Sequence, residues 1–349
     1  MKHVIENFLQ SRVDIGDFPG GGFALINSYG IIDSGYVGFK SLEPEKIPNV
    51  GNEIYDVASL TKVVSTTSLV LKLIEQNLME LDTCVTKILP RFKHTKITVF
   101  DLMTHSSGLP ADIRNAKELK NSEQVENIIY EMDLIYPTGE RIVYSDVGFI
   151  LLGWMIEKIT HTPLDQYAQN VLFEPLGMKD TGYHPDPERC APTEQRIDGV
   201  FQGFLKGRVH DEKAFALQGV SGHAGLFSTP KDIGLFIHAI LTEDKRLFNH
   251  STYGLLYEPQ KDITDVSGNR IVRALGWDKP LSGGTAGNDV DFINTIAHTG
   301  FTGCNIWIDK ARKLGFVLLS NGVHPKRELN KVPLFRNKLA NLILANKGD

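Results

Sequence analysis

Cysteine is scarce in this chain: Cys84, Cys190 and Cys304 are odd in number and widely spaced. Such a set builds no disulfide framework, matches no metal or redox pattern, and fits a reducing compartment. Long apolar runs are missing as well. No stretch of about 18 apolar residues occurs, so no membrane-spanning helix is expected. Neither sign of charge dominates, since 37 Lys and Arg stand against 42 Asp and Glu. Without a basic run or stripe, nothing offers an electrostatic footprint for nucleic acid. There is no internal repeat and no low-complexity segment. A G-x-S-x-G nucleophile elbow is absent too, because Gly219-Val220-Ser221-Gly222-His223 ends on histidine.

The N-terminal M-K-H-V-I-E-N-F-L-Q-S-R-V is not a secretory signal. Glu6, Gln10 and Arg12 interrupt any apolar core, and no small-residue cleavage site follows. Apolar residues at 4, 5, 8, 9 and 13 suit an amphipathic helix instead. As written the chain reads as cytoplasmic; export with a leader already removed is the alternative.

What is present is ordinary globular composition in 349 residues, enough for one large core or two modest ones. After the first helix, G-F-A-L-I-N-S and I-I-D-S-G-Y-V-G-F flank Tyr29-Gly30 and read as a β-hairpin. Asp56 to about Gln76 reads as a helix apolar on most sides, hence buried, with Asn77 as a left-handed stop. Helices are expected near 97–105, 123–132, 146–160, 163–173 and 230–242, then a connection with a hairpin over 261–290. Strand patterns within Ile293–Asp309 and over Gly315–Asn321 and a helix over 331–346 end the chain. Strands at both ends with helices between predict an α/β fold. Its antiparallel sheet is flanked by helices and built from both chain termini. The expected division is a discontinuous sheet domain, 1–78 and 271–349, and an inserted, mainly helical domain, 79–270. The active site is expected between them.

Ser59-Leu60-Thr61-Lys62 places a hydroxyl and an amine on one helix face at the helix N-terminus. A serine hydroxyl needs a neighbouring base to attack a carbonyl, and a helix N-terminus favours an oxyanion. A second copy, Ser228-Thr229-Pro230-Lys231, reads as an ordinary helix start with Thr229 as cap and Pro230 at the first helical position. Two further stretches stand out: Tyr144-Ser145-Asp146 before an apolar helix, and His298-Thr299-Gly300 in a strand pattern rich in small residues.

The order Ser-x-x-Lys, Tyr-Ser-Asp, His-Thr-Gly resembles that of the penicillin-recognising serine hydrolases: class C β-lactamases, DD-peptidases and related esterases and amidases. The spacings are similar, and L-M-T-H-S-S-G-L-P (102–110), F-E-P-L-G-M-K-D-T (173–181) and H-A-G-L-F-S-T-P-K-D-I (223–233) look like further signatures of that family. The resemblance covers nearly the whole chain. It implies an acyl-enzyme on Ser59, with Lys62 as neutral amine or supporting cation and Tyr144 as proton shuttle. A tyrosine titrates near 10 in water, so that role requires positive charge beside it. The oxyanion hole is expected from the backbone N–H groups of Ser59 and Phe301.

Two positions depart from the family pattern: Asp146 stands where Asn is usual and His298 where Lys is usual. Asp146 either caps its helix or faces Lys62, where it favours the charged amine. A mostly neutral histidine suits a carboxylate less than lysine does, so weaker β-lactam binding is expected. Arg141 and Arg273 are further candidates for a carboxylate partner.

The stretch 207–228 is similar to β-lactamase-like enzymes of cell-wall turnover that cut between N-acetylmuramic acid and the first peptide residue. In that reading His210 and His223 join Asp146, His298, Thr299 and Gly300 in holding substrate. His210, Asp211, Glu212 and His223 match no standard zinc spacing, so neither metal nor cofactor is expected. Expected partners are small molecules or peptidoglycan fragments, β-lactams among them. A carboxylesterase of the same fold and a non-catalytic penicillin-binding sensor are the alternatives.

Overall fold

The computed structural model describes residues 1–264 and 268–346. Its centre is a six-stranded antiparallel sheet: β1 (Gly20–Asn27), β2 (Gly30–Ser41), β3 (Ile47–Pro48), β4 (Thr295–Gly300), β5 (Cys304–Asp309) and β6 (Leu314–Ser320). The spatial order is β4-β5-β6-β1-β2-β3. The innermost pairing therefore joins the two ends of the chain, with Gly21 opposite Ser320 and Asn27 opposite Leu314.

Side chains alternate across a strand, and here both faces are covered. Phe23, Leu25, Trp307, Phe316 and Leu318 point into one apolar cluster, Ala24, Ile26, Ile306, Ile308, Val317 and Leu319 into another. That explains why these strands read as nearly continuous apolar runs. The first face is closed by α1 (Lys2–Asp14) and the C-terminal helix, α5 (Val332–Ala345), where Phe335 meets the rings of Phe8 and Phe18. On the second face α4 (Pro230–Leu241) packs on β1, β2 and β6. Thr229 caps α4 by accepting from the Asp232 N–H at 3.2 Å, with Pro230 at the helix start, as the sequence predicts.

The Ser59 helix begins later than its pattern suggests. Tyr55–Asp56 pairs with Phe227–Ser228 as a short strand. The buried Asp56 carboxylate then accepts the Ala58 N–H at 2.8 Å and the His210 N–H at 2.7 Å. This turn forces Ala58 to a left-handed φ of +47°. Helical structure starts at Leu60, widens to a π-helical stretch over Lys62–Thr67 and continues as α2 (Ser68–Glu75). Every residue from Leu60 to Leu71 is buried, and Asn77, at φ +56°, ends the segment.

The residues between α2 and α4 hold short helices joined by long loops and carry α3 (Asp146–Thr160) through their centre. The sequence-predicted helix over 163–173 forms in three pieces: Leu164–Ala168, a π-helical turn Gln169–Phe173, and Glu174–Leu176. The hairpin expected in 261–290 pairs Lys261–Thr264 with Arg270–Arg273, and 265–267 within it lie outside the described residues.

Candidate active site

Lys62 Nζ donates to Ser59 Oγ over 3.0 Å, to Asp146 Oδ1 over 2.7 Å and to the His223 carbonyl over 3.1 Å. Three acceptors meet the three protons of an ammonium. The side chain is 0 % exposed. Burial pulls the Lys62 pKa down, but the Asp146 carboxylate and the Tyr144 phenol outweigh it and leave the pKa raised. Lys62 is thus a fixed cation beside Ser59, and of its two sequence-stated roles the neutral amine is disfavoured.

Tyr144 lies on the other side of that cation. Lys62 Nζ is 4.8 Å and the Arg273 guanidinium 5.5 Å from its ring centre. Tyr144 enters just before α3, where Ser145 takes the capping position by accepting the Gly148 N–H at 3.3 Å. Asp146 is therefore free of capping and turns inward. Its second oxygen meets Lys213 at 3.2 Å.

Lys213 is the residue that spacing did not single out. It reaches three carboxylates: Asp112 at 2.7 Å, Asp211 at 3.0 Å and Asp146. Burial opposes its charge, yet the three acids raise its pKa. Asp211 also accepts from His223 Nε2 at 2.7 Å, and His223 Nδ1 then accepts from Ser221 at 2.9 Å. Asp146, Asp211 and His223 bring ligand-type atoms within 4.8 Å of one another. The ammonium of Lys213, bonded to both acids, supplies the charge a cation would bring. Asp211 is held well below the usual carboxylate range, because His223 and Lys213 more than offset its burial.

The His298-Thr299-Gly300 strand β4 runs beside the Ser59 turn. A Cβ on Gly300 would stand 2.4 Å from the Val57 carbonyl, so only glycine permits this approach. Among the described residues, neither the Ser59 nor the Phe301 backbone N–H donates a hydrogen bond within the chain. Both remain available to an oxyanion.

His298 sits behind this wall and not on it. It is 2 % exposed, its Nδ1–H donates to the Thr299 carbonyl at 2.9 Å, and its buried Nε2 has no partner among the described residues. Burial first, then Lys62 and Arg273, hold it well below its usual pKa, so it is neutral. Its ring lies 6.0 Å from that of Tyr144, and His105 packs 4.6 Å from the same ring.

Ser59, Tyr144, Asp146, Thr299, Gly300, Phe301 and His210 line one cleft of about 470 Å³. His298 and His223 stand outside that lining; His223 touches the site through its carbonyl and Asp211. Phe301 is 56 % exposed and stacks on His210 with ring centres 5.6 Å apart. His210 in turn pairs with Glu194 at 3.1 Å. Glu194 and Glu212 both bind Arg327, at 2.6 and 2.7 Å. Glu194 and Arg327 join the site from remote segments, and no local pattern announces them.

A family model described as Beta-lactamase matches residues 5–340. The chain is 34 % identical over 313 residues to the N-acetylmuramyl-L-alanine amidase of Bacillus subtilis (strain 168), covering 78 % of this chain and 68 % of that one. A Salmonella typhimurium protein, provisionally named a D-alanyl-D-alanine carboxypeptidase, is 29 % identical over 92 % of this chain and 83 % of its own. Among solved structures, a class C beta-lactamase superposes with a TM-score of 0.75 at 17 % identity, covering 100 % of this chain and 97 % of the other.

Proposed function

The chain belongs to the Beta-lactamase family, and on that premise we propose that it hydrolyses amides of peptidoglycan fragments through an acyl-enzyme on Ser59. The substrate we favour is the amide between N-acetylmuramic acid and the first peptide residue. The observation that carries the reading is the buried Lys62 ammonium, shared between Ser59 and Asp146 and facing Tyr144.

In this reading Tyr144 acts as the phenolate, in the field of Lys62 and Arg273, and becomes the phenol by accepting the Ser59 proton as Oγ attacks the carbonyl carbon. The carbonyl oxygen, now negative, takes the Ser59 and Phe301 N–H groups. Tyr144 returns the proton to the departing nitrogen, the C–N bond breaks, and an ester on Ser59 remains. Water then gives a proton to the Tyr144 phenolate and attacks the ester, and Tyr144 passes that proton to Ser59 Oγ as the acid leaves. The choice of a muramyl amide is supported by the name of the Bacillus subtilis relative. The exposed Phe301 ring at the cleft wall is also a surface of the kind a sugar ring packs on.

β-Lactams are poor substrates in this reading. The position where the family pattern that the chain resembles usually has lysine holds a neutral, buried histidine, His298.

The test is product analysis with N-acetylmuramyl-L-alanine peptides, wild type against Ser59→Ala. Release of free peptide by the wild type, lost by more than about a thousandfold in the variant, is the expected result. Peptide release that survives in Ser59→Ala ends the proposal. Cleavage confined to simple esters moves the assignment to a carboxylesterase.

A further inference from the structure

Tyr144 stands on a segment with no regular structure of its own. Between Met132 and Ser145 the chain forms neither helix nor strand. The segment lies instead along residues 105–111, where the Gly139 N–H donates to the Ser106 carbonyl at 2.7 Å and the Asp146 N–H to the Ala111 carbonyl at 2.9 Å. The bonds nearest the tyrosine all come from one residue, His105. Its carbonyl accepts the Val143 N–H at 2.8 Å, and its ring Nδ1 accepts the Ser145 N–H at 3.0 Å. The peptide groups on both flanks of Tyr144 are therefore tied to it. The same ring packs on the Tyr144 ring, with centres 4.6 Å apart, and on that of Phe149 at 5.2 Å.

His105 does more here than fill space. Its φ is +56°, a left-handed conformation that is uncommon outside glycine and is held by the surrounding structure. The side chain is buried, and burial first, then Arg273, Lys62 and His298, keep its pKa well below the usual histidine range. The ring is neutral, so Nδ1 keeps the lone pair that the Ser145 N–H requires. Nε2 then carries the proton, and it has no partner among the described residues. A buried donor without an acceptor is costly, so packing alone would be better served by phenylalanine. What the imidazole adds is the acceptor at Nδ1.

We propose that His105 is the positioning residue for Tyr144. It fixes the phenolate beside Lys62 and Ser59 and takes no proton itself. The inference rests on the reading of Tyr144 as proton shuttle, and it holds for amide and ester substrates alike. A reacting group misplaced by about 1 Å costs about a hundredfold in rate. Substrate binding does not depend on that placement, so the loss falls on kcat.

The test is steady-state hydrolysis of p-nitrophenyl butyrate by His105→Gln and His105→Asn, each with Tyr144 present and with Tyr144→Phe. Asparagine carries its oxygen on the same carbon as Nδ1 and tolerates a left-handed backbone. Glutamine sets its oxygen one bond farther out. His105→Gln is expected to lower kcat by about thirtyfold or more with KM within about twofold of wild type. His105→Asn is expected to recover kcat to within about fivefold of wild type, since the Ser145 N–H regains an acceptor. With Tyr144→Phe, His105→Gln is expected to cost less than about twofold, because no shuttle is left to misplace. Thermal melting accompanies each variant, and His105→Ala takes the place of His105→Gln, with the same expectations, if the latter does not fold. A kcat that His105→Gln leaves unchanged overturns the proposal. So does an equal loss with and without Tyr144, or a His105→Asn enzyme no faster than His105→Gln. Ester turnover that survives intact in Ser59→Ala or Tyr144→Phe also overturns it, by removing what His105 would position. The expected pattern in an enzyme that releases no muramyl peptide would sink the amidase reading and leave the role of His105 standing.

Discussion

Asp146 is shared by two buried lysines, and this sets the charge of the site. Replacing it with asparagine keeps an oxygen near Lys62 but removes the charge that outweighs burial. The Lys62 pKa then falls. Because activity depends on the ammonium, it is lost as pH rises through that pKa. The alkaline limb of the rate profile of Asp146→Asn should therefore move to lower pH than in the wild type, by about one unit or more. Ester hydrolysis across the alkaline range measures it, and coincident limbs would mean that Asp146 does not govern Lys62. At this scale the sequence was legible where one short motif holds a residue's chemistry. Ser59 and Lys62 are three apart and meet. Their partnership with Asp146, 84 positions away, was one of two readings left open. Lys213 could not be foreseen, because nothing in its own stretch tells that three carboxylates converge on it.

Among elements, the contact of β4 with the Ser59 turn carries most consequence. Gly300→Ala places a methyl group against the Val57 carbonyl, and strand and turn must part. The two oxyanion donors sit on either side of that contact, so their spacing widens. Turnover is expected to drop about a hundredfold, with a melting temperature within a few degrees of wild type. Ester kinetics and thermal melting together check this; a large loss of stability with normal turnover in the remaining folded protein would refute it. The β1–β2 hairpin, α3 and α5 were readable from turn residues and apolar period. The start of the Ser59 helix was not, since Asp56 is drawn into a turn by a partner 154 positions on, the His210 N–H. The place of His298 behind Tyr144 was equally hidden, because strand alternation does not tell which face borders a cleft.

For the whole molecule, the buried carboxylates decide the response to acid. Asp146, Asp211 and Glu194 have depressed pKa values despite burial, each held by facing cations or histidine. Their stabilisation is full above the unfolded carboxylate pKa of about 4 and is lost as pH falls through the folded values. Asp56, raised by burial, acts in the opposite sense and offsets part of the loss. The urea midpoint should therefore fall between pH 5 and pH 3, and less steeply in Asp211→Asn measured against its own value at pH 7. A midpoint flat across that range would contradict the depressed values. The pairing of β1 with β6 has a different consequence, one of timing. The strands that meet at the centre of the sheet are made about 300 residues apart. At roughly 5–20 residues per second of synthesis, β1 waits on the order of 15–60 s for its neighbour. Until then an apolar strand edge on the ribosome has no lasting partner. The chain is thus one whose central pairing follows translation, and whose nascent N-terminal half needs shielding until its last strands emerge.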